Sequence, residues 1–322
     1  MNKKFLKKIL INFVPYFGKI IKQRDILLQE RNDLLKKIEE VHRLQSQIPV
    51  KIAFPPGHFY SPIPSLDDIN RVKNMKKINT IFEPINFNEK KQLLLLKRFA
   101  KKFLKDLTIP DTKRDGFRYF YNNPNFSYAD AISLYFIIRY FKPKKIIEVG
   151  SGFSSALMLD INEMFFKNKI DLTFIEPFPE LLNSLIKKGD KINLIKKPLQ
   201  DVDSKLFKSL NKNDLLFIDS THVSKAGSDV NKIFFEILPI LNKGVIIHFH
   251  DIFYPFEYLI EWLEEGRFWN EIYIFRAFMQ YNNHFKIIFF NRYLWYKYKK
   301  LLIRTIPLFQ KNPGGSIYIR KT

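Results

Sequence analysis

Two short stretches carry residue types suited to acid–base or metal chemistry. Asp219-Ser220-Thr221-His222 ends one apolar run and His248-Phe249-His250-Asp251 ends the next. If those runs are neighbouring strands, about 4.8 Å apart, their polar ends converge at one sheet edge. Such a set can activate a hydroxyl in either of two ways. His222 or His250, oriented by Asp219 or Asp251, could act as a general base. Alternatively, Asp219, His250 and Asp251 could bind a divalent metal that lowers the hydroxyl pKa. A third reading leaves them as polar caps on strand ends. His248 is earlier in its run and alternates with His250, the position of a satisfied core histidine. Cys is absent, so there is no thiol nucleophile and no disulfide framework.

A third station lies upstream. Ile146-Ile147-Glu148-Val149-Gly150-Ser151-Gly152 reads as a strand running into a glycine turn and then a helix, a nucleotide-binding arrangement. A dinucleotide fingerprint wants a third glycine at 155, which is Ser155. Glu148, two residues before the first glycine, suits a cofactor carrying an ammonium and a sulfonium better than one carrying a pyrophosphate. The next strand ends at Glu176, whose two oxygens can accept from both hydroxyls of a ribose. Leu199-Gln200-Asp201-Val202 follows the third strand, where Gln200 and Asp201 could meet an adenine amino group or cap a helix. Tyr128 and Asp130, at the start of the helix before the first strand, could touch the cofactor's far end or pack there.

The elements that must position these groups follow from the pattern of the chain. Apolar runs at 145–149, 172–176, 192–196, 215–219, 244–250, 285–290 and 316–320 alternate with helical segments, which predicts a doubly wound α/β sheet. Upstream, residues 1–48 read as a basic helix with Ile20, Leu27, Leu34, Val41 and Ile48 at intervals of seven. That spacing fits a short coiled coil, hence a homo-oligomer through 20–48, or an amphipathic helix docked on its own domain. Residues 49–114 hold an extended Pro-rich aromatic arm, Phe54 to Pro64, and a helical cap over 88–106. His58 and Tyr60 could serve a lid or a structural strap. Residues 115–322 hold the alternating α/β pattern, with a 253–283 insertion where Phe268, Trp262 and Trp269 pack helices and a pocket could form. Pro313-Gly314-Gly315 reads as the turn into the final strand.

The series IIEVGSGFSSALML, FIEPFPE, LLFIDSTHVSKAGSDV, GVIIHFHD and GGSIYIR resembles bacterial class I S-adenosylmethionine (SAM)-dependent methyltransferases, in particular the methyltransferase-24-like group, over roughly 115–322. PPGHFYSPIP and FSYADA also look like segments of bacterial members. The resemblance implies a Rossmann-like seven-stranded sheet with its last strand antiparallel and SAM at the carboxyl ends of the first strands. By match, Glu148, Gly150, Ser151 and Gly152 would surround the methionine part, Glu176 the ribose, and Asp219 would border the cofactor. Relatives that hold a divalent metal use an acidic pair after the fifth strand. This chain has His250-Asp251 there, which disfavours magnesium because imidazole suits softer metals.

The implied activity is O-methylation of a small molecule or of a saccharide or glycolipid precursor. The net charge of +22 invites a nucleic-acid reading, but residues 1–52 carry +7 and residues 291–322 carry +8, leaving +7 for the 238 between. Charge concentrated at the ends favours peripheral contact with an anionic membrane over a basic cleft, and fits equally a solvated Lys-rich surface with no partner. Methylation of a nucleic acid is the enzyme alternative. Against it, Asp219-Ser220-Thr221 lacks the Asn/Asp-Pro-Pro-aromatic arrangement used for exocyclic amines. A SAM-fold interaction module without catalysis, anchored at a membrane, is the other alternative. No apolar run reaches a spanning length, so the chain is expected to be cytoplasmic, with membrane contact only at its periphery.

Overall fold

A computed structural model describes residues 19–20, 23–39, 52–74 and 85–322. The first basic segment and the heptad positions Val41 and Ile48 lie outside the described residues. Residues 23–39 are helical, and Ile20, Leu27 and Leu34 are all exposed. Among the described residues no helix is long and apolar enough to cross a membrane. The chain divides into two compact units, Met1–Ser65 and Leu66–Thr322. In the first, the Pro-rich arm folds on itself: the His58 ring lies 4.8 Å from Phe54 and 4.2 Å from Phe59 between centroids. The Gly57 amide donates to the Ile63 carbonyl at 3.1 Å, closing the arm's turn.

The second unit holds the sheet. Helices α1 (Leu66–Lys73), α2 (Glu89–Phe103) and α3 (Tyr128–Phe141) precede β1 (Lys145–Val149). Then come α4 (Phe153–Phe166), β2 (Asp171–Ile175), α5 (Glu180–Leu185), β3 (Asn193–Ile195) and β4 (Leu215–Ile218). Helix α6 is made of Asp229–Lys232, a π turn at Ile233–Ile237 and Leu238–Ile240. After β5 (Ile246–Phe249) come α7 (Ile260–Glu264), α8 (Glu271–Met279), β6 (Phe285–Phe290), α9 (Asn291–Thr305) and β7 (Ile317–Lys321). The seven strands are ordered β3-β2-β1-β4-β5-β7-β6, and β7 alone runs antiparallel to both its neighbours. This is the predicted Rossmann-like sheet with its last strand reversed.

Chemistry of the strands explains the placement. Ile146, Ile147 and Val149 in β1, and all four residues of β4 and β5, are buried, as strands covered on both faces require. Much of the chain's abundant Phe lies here: Phe136, Phe174, Phe217 and Phe249 are fully buried around the sheet. Helix α3 is buried from Tyr128 to Ile138, so it serves as an inner layer and not as an amphipathic surface helix. The cap helix α2 belongs to this unit. It buries Leu96 and Phe99, and its Gln92 accepts the Phe290 amide at 2.8 Å at the end of β6.

The segment leading into α3 is fixed by a buried cation. Arg118 pairs with Asp160 at 2.8 Å and Glu163 at 2.7 Å, and also with Asp190. Asp160 accepts the amides of Arg118 and Tyr119 as well. Breaking such a buried set costs on the order of 3–5 kcal/mol. It anchors the stretch that carries Asn125 and Phe126 to the carboxyl edge of the sheet, where both wall a cavity.

Candidate active site

The glycine turn works by close approach. Gly150 has φ +81°, and a Cβ there would lie 1.8 Å from the Asp219 carbonyl oxygen. The turn is thus pressed against the end of β4, while the Gly150 amide donates to the Ile175 carbonyl at the end of β2 at 3.0 Å. Only glycine accommodates both the conformation and the contact.

Glu148 is placed differently from the sequence expectation. It lies wholly buried beneath the turn, accepts from the Ser154 hydroxyl at 2.5 Å and from the Ser155 hydroxyl, and walls neither lobe of the cavity described below. Burial pushes its carboxyl up to about 8, so at neutral pH it is mostly uncharged. Ser155 also accepts the Gly152 amide at 3.1 Å. The residue standing where a third glycine would be therefore ties the start of α4 to β1. Glu148 is the anchor of that tie.

A two-lobed cavity opens around Gly150, Glu176 and Asp219, which wall both lobes. The larger, about 370 Å³, is bordered by Phe178, Leu199 and Gln200. The smaller, about 170 Å³, is bordered by Ser151, Gly152 and Phe126. Glu176 accepts the Ser151 amide at 2.9 Å and the Phe178 amide at 2.8 Å, one on each oxygen. Each oxygen keeps a further lone pair for a hydroxyl donor. Phe178 is 77% exposed at the larger lobe's edge, a position that sequence pattern did not single out. Asp201 and Tyr128 wall neither lobe. Tyr128 donates to Asn122 at 2.5 Å and stacks on Tyr121. Asp130 accepts the amides of Gly315 and Ser316, each at 2.9 Å, which makes Pro313-Gly314-Gly315 a clamp on α3.

Beyond Asp219 the edge becomes a cluster of buried charge. His222 sits at φ +60° just past β4. Its Nδ1 faces Glu271 Oε2 at 2.8 Å; its Nε2 faces Asp219 Oδ1 at 3.3 Å and Asp251 Oδ2 at 3.8 Å. The His222 carbonyl accepts the amides of Asn270 and Glu271, each at 3.1 Å, so the start of α8 is held by the residue that Glu271 orients. Glu271, fully buried, was not identified from the sequence: it is 49 residues from His222 and carries no local motif. Burial opposes charge on His222, but its bonds to Asp219 and Glu271 raise its pKa well above the usual imidazole value. Burial pushes Asp219 up, yet His250 and His222 bring it down to about 2. Asp251 is raised by burial against the same two imidazoles.

The other two edge histidines shift in opposite directions. His250 lies 3.6 Å from Asp251; burial lowers its pKa, but Asp219 and Asp251 raise it above the usual value. Burial holds His248 well below it. The His248 ring stacks on Phe217 at 3.9 Å between centroids, and neither of its nitrogens has a partner. It is a core histidine as expected, but not a hydrogen-bonded one. The metal reading of Asp219, His250 and Asp251 gains no support. Among the described residues no group of three or more His, Asp or Glu is arranged to hold an ion, and the His222 ring lies between the two acids instead.

A methyltransferase-domain family model matches residues 147–252, the stretch from the glycine turn to the end of the acid–histidine cluster. An uncharacterized protein of Archaeoglobus fulgidus is 35% identical over 166 residues, which span 50% of this chain and 75% of that protein. Residues 147–252 thus carry a methyltransferase domain. Solved structures similar to this chain include the SAH-bound Podospora anserina methyltransferase PaMTH1, at 17% identity and a TM-score of 0.39, over 85% of this chain and 100% of that one. The plantazolicin methyltransferase BpumL in complex with SAH is similar at 18% identity and a TM-score of 0.37, over 73% of this chain and 99% of that one.

Proposed function

We propose that the methyltransferase binds SAM in the two-lobed cavity and methylates a hydroxyl oxygen of a small organic molecule at the acid–histidine cluster. The observation that carries this reading is the junction of the two sites at Asp219, which walls both lobes and also contacts His222. SAM supplies a methyl group on a cationic sulfur.

The residues present fit that group. Phe178, Leu199 and Gln200 offer an aromatic and apolar slot with one amide for an adenine. Glu176 accepts from the ribose hydroxyls. The buried hydroxyls of Ser151 and Ser220 have no partner among the described residues, which leaves them available to the polar part of a ligand. Asp219, held ionised at the wall of both lobes, would complement the positive charge of the sulfonium.

The acceptor side uses the remaining groups. Glu271 fixes the His222 ring, and His222 keeps its proton, so it acts as a fixed cation that favours the ionised form of an acceptor oxygen. Asp251, its basicity raised by burial, would take the acceptor proton. A protonated His222 is not itself the base, which leaves a carboxylate in that role.

The test is SAH formation on incubation with SAM and a panel of phenols, hydroxy acids and saccharides, comparing wild type with Asp251→Asn. Turnover on a hydroxyl-bearing member, reduced roughly 10²-fold or more in the variant, is expected. Turnover confined to amine or thiol acceptors, or an unimpaired Asp251→Asn enzyme, would overturn the proposal.

A further inference from the structure

A second cavity of about 230 Å³ begins two residues past Asp251, walled by Phe253, Tyr254, Tyr258 and Ile260 from the insertion, Val72 from α1, and Arg292 at the start of α9. Its chemistry is uneven. Apart from Arg292 the only charged wall residue among the described ones is Glu257, which accepts from the Tyr273 hydroxyl and the Tyr258 amide and so holds the wall together.

Arg292 has no such engagement. Its guanidinium lies 4.9 Å from the centroid of the Phe253 ring, its buried Nε has no hydrogen-bond partner, and no ion pair joins it among the described residues. Its surroundings do little to hold the charge: burial works against it, offset in part by the more distant charges of Asp130 and Asp251. Both of those acids are bonded or paired elsewhere, Asp130 to the Gly315 and Ser316 amides and Asp251 to the edge imidazoles. An unpaired guanidinium in an aromatic-walled cavity leaves a planar set of donors facing whatever enters.

We propose that this cavity is the acceptor site and that it selects an organic anion: an aromatic or similarly compact apolar body with a carboxylate or phosphate group seated on Arg292. The size is suitable, since a cavity of about 150 Å³ already holds benzene, so 230 Å³ accommodates one substituted ring. Phe253, Tyr254 and Tyr258 provide faces and edges for such a ring. The fork of Arg292 matches the two oxygens of the acid. A neutral saccharide would leave the guanidinium unpaired and put hydroxyls against apolar walls. The cavity's role as acceptor site rests on the methyltransferase reading; its preference for an anion does not.

The test is calorimetric titration of the full chain with 4-hydroxybenzoate and with its neutral counterpart 4-hydroxybenzamide. The acid should bind at least about tenfold more tightly than the amide. Arg292→Met should lose that preference by weakening the acid alone, and Arg292→Lys should keep part of it. Equal affinities, no binding of the acid to wild type, or a preference that survives in Arg292→Met would each overturn the proposal. If Arg292→Met does not fold, the acid–amide comparison on wild type and Arg292→Lys still decides. A parallel SAM titration separates the two readings: SAM binding without the acid preference removes this one and leaves the methyltransferase assignment intact.

Discussion

The two halves of the carboxyl edge are built on different physics. On the β1–β2 side the cavity is shaped by backbone: a glycine turn pressed against a carbonyl, amides seated on Glu176, and a Glu148 that burial leaves mostly uncharged. On the β4–β5 side it is shaped by buried charge: His222 clamped between Glu271 and two aspartates. A site whose ligand-facing groups are backbone is rigid, suited to a cofactor of constant form. A charged site responds to protonation and to its surroundings, suited to proton transfer.

Substitutions can break or sharpen that contrast. The largest effect is expected at Gly150. Gly150→Val places a branched Cβ where 1.8 Å is free and forces φ +81° on a β-branched residue. The strain is on the order of 3 kcal/mol, and calorimetry should show no SAM binding even if circular dichroism reports a folded chain. Next is Glu271→Gln, which keeps a partner for His222 but removes the charge that holds its proton. Turnover should fall roughly 10²-fold with SAM affinity unchanged, and the pH–rate profile should shift on its alkaline limb. The sign follows from the raised His222 pKa: its charged form, and the stability it brings, is fully present below about 6.5 and is lost as pH rises through the folded value. Glu271→Gln moves that loss to lower pH. A SAM affinity that fell along with turnover would erase the distinction between the halves.

Glu176→Ala should weaken SAM about 30-fold through the lost charge-assisted bonds, leaving the melting temperature within a few degrees of wild type. A subtler test uses Glu148. Its carboxyl is raised from 4.5 to about 8, so the folded state favours the protonated form and wild-type stability should decline as pH rises between those values. Glu148→Gln, followed by thermal melts across that range, should flatten the decline. The smallest effect is expected for His248→Phe. The ring already stacks on Phe217 with both nitrogens unpaired, so the variant should be neutral or more stable by about 1 kcal/mol, with unchanged turnover.

The same contrast explains what could be read before the structure. The sheet, its order of elements and the Gly150, Glu176 and Gln200 positions follow from local pattern, because a strand, a turn and the next helix are contiguous in the chain. The acid–histidine stations were visible too, since Asp219, His222, His250 and Asp251 end adjacent strands. Their charge states were not. Glu271 reaches His222 from α8, and only folding brings it there. Glu148 looked like a ligand for a cation because sequence shows its proximity to the turn but not that Ser154 and Ser155 bond both its oxygens. Tyr128 and Asp130 sit at the right point of the chain, yet their polar atoms are bonded to Asn122 and to the turn before β7. Arg292 carried no signal, because its meaning depends on the absence of an ion-pair partner among the described residues.

The most direct measurement of the central claim is a calorimetric titration of the full chain with SAM, run in parallel on wild type, Glu176→Ala and Glu271→Gln. The account predicts one site per chain in wild type, markedly weaker binding in Glu176→Ala, and wild-type affinity in Glu271→Gln. No SAM binding by a folded wild-type chain, or equal affinity in all three, would contradict it.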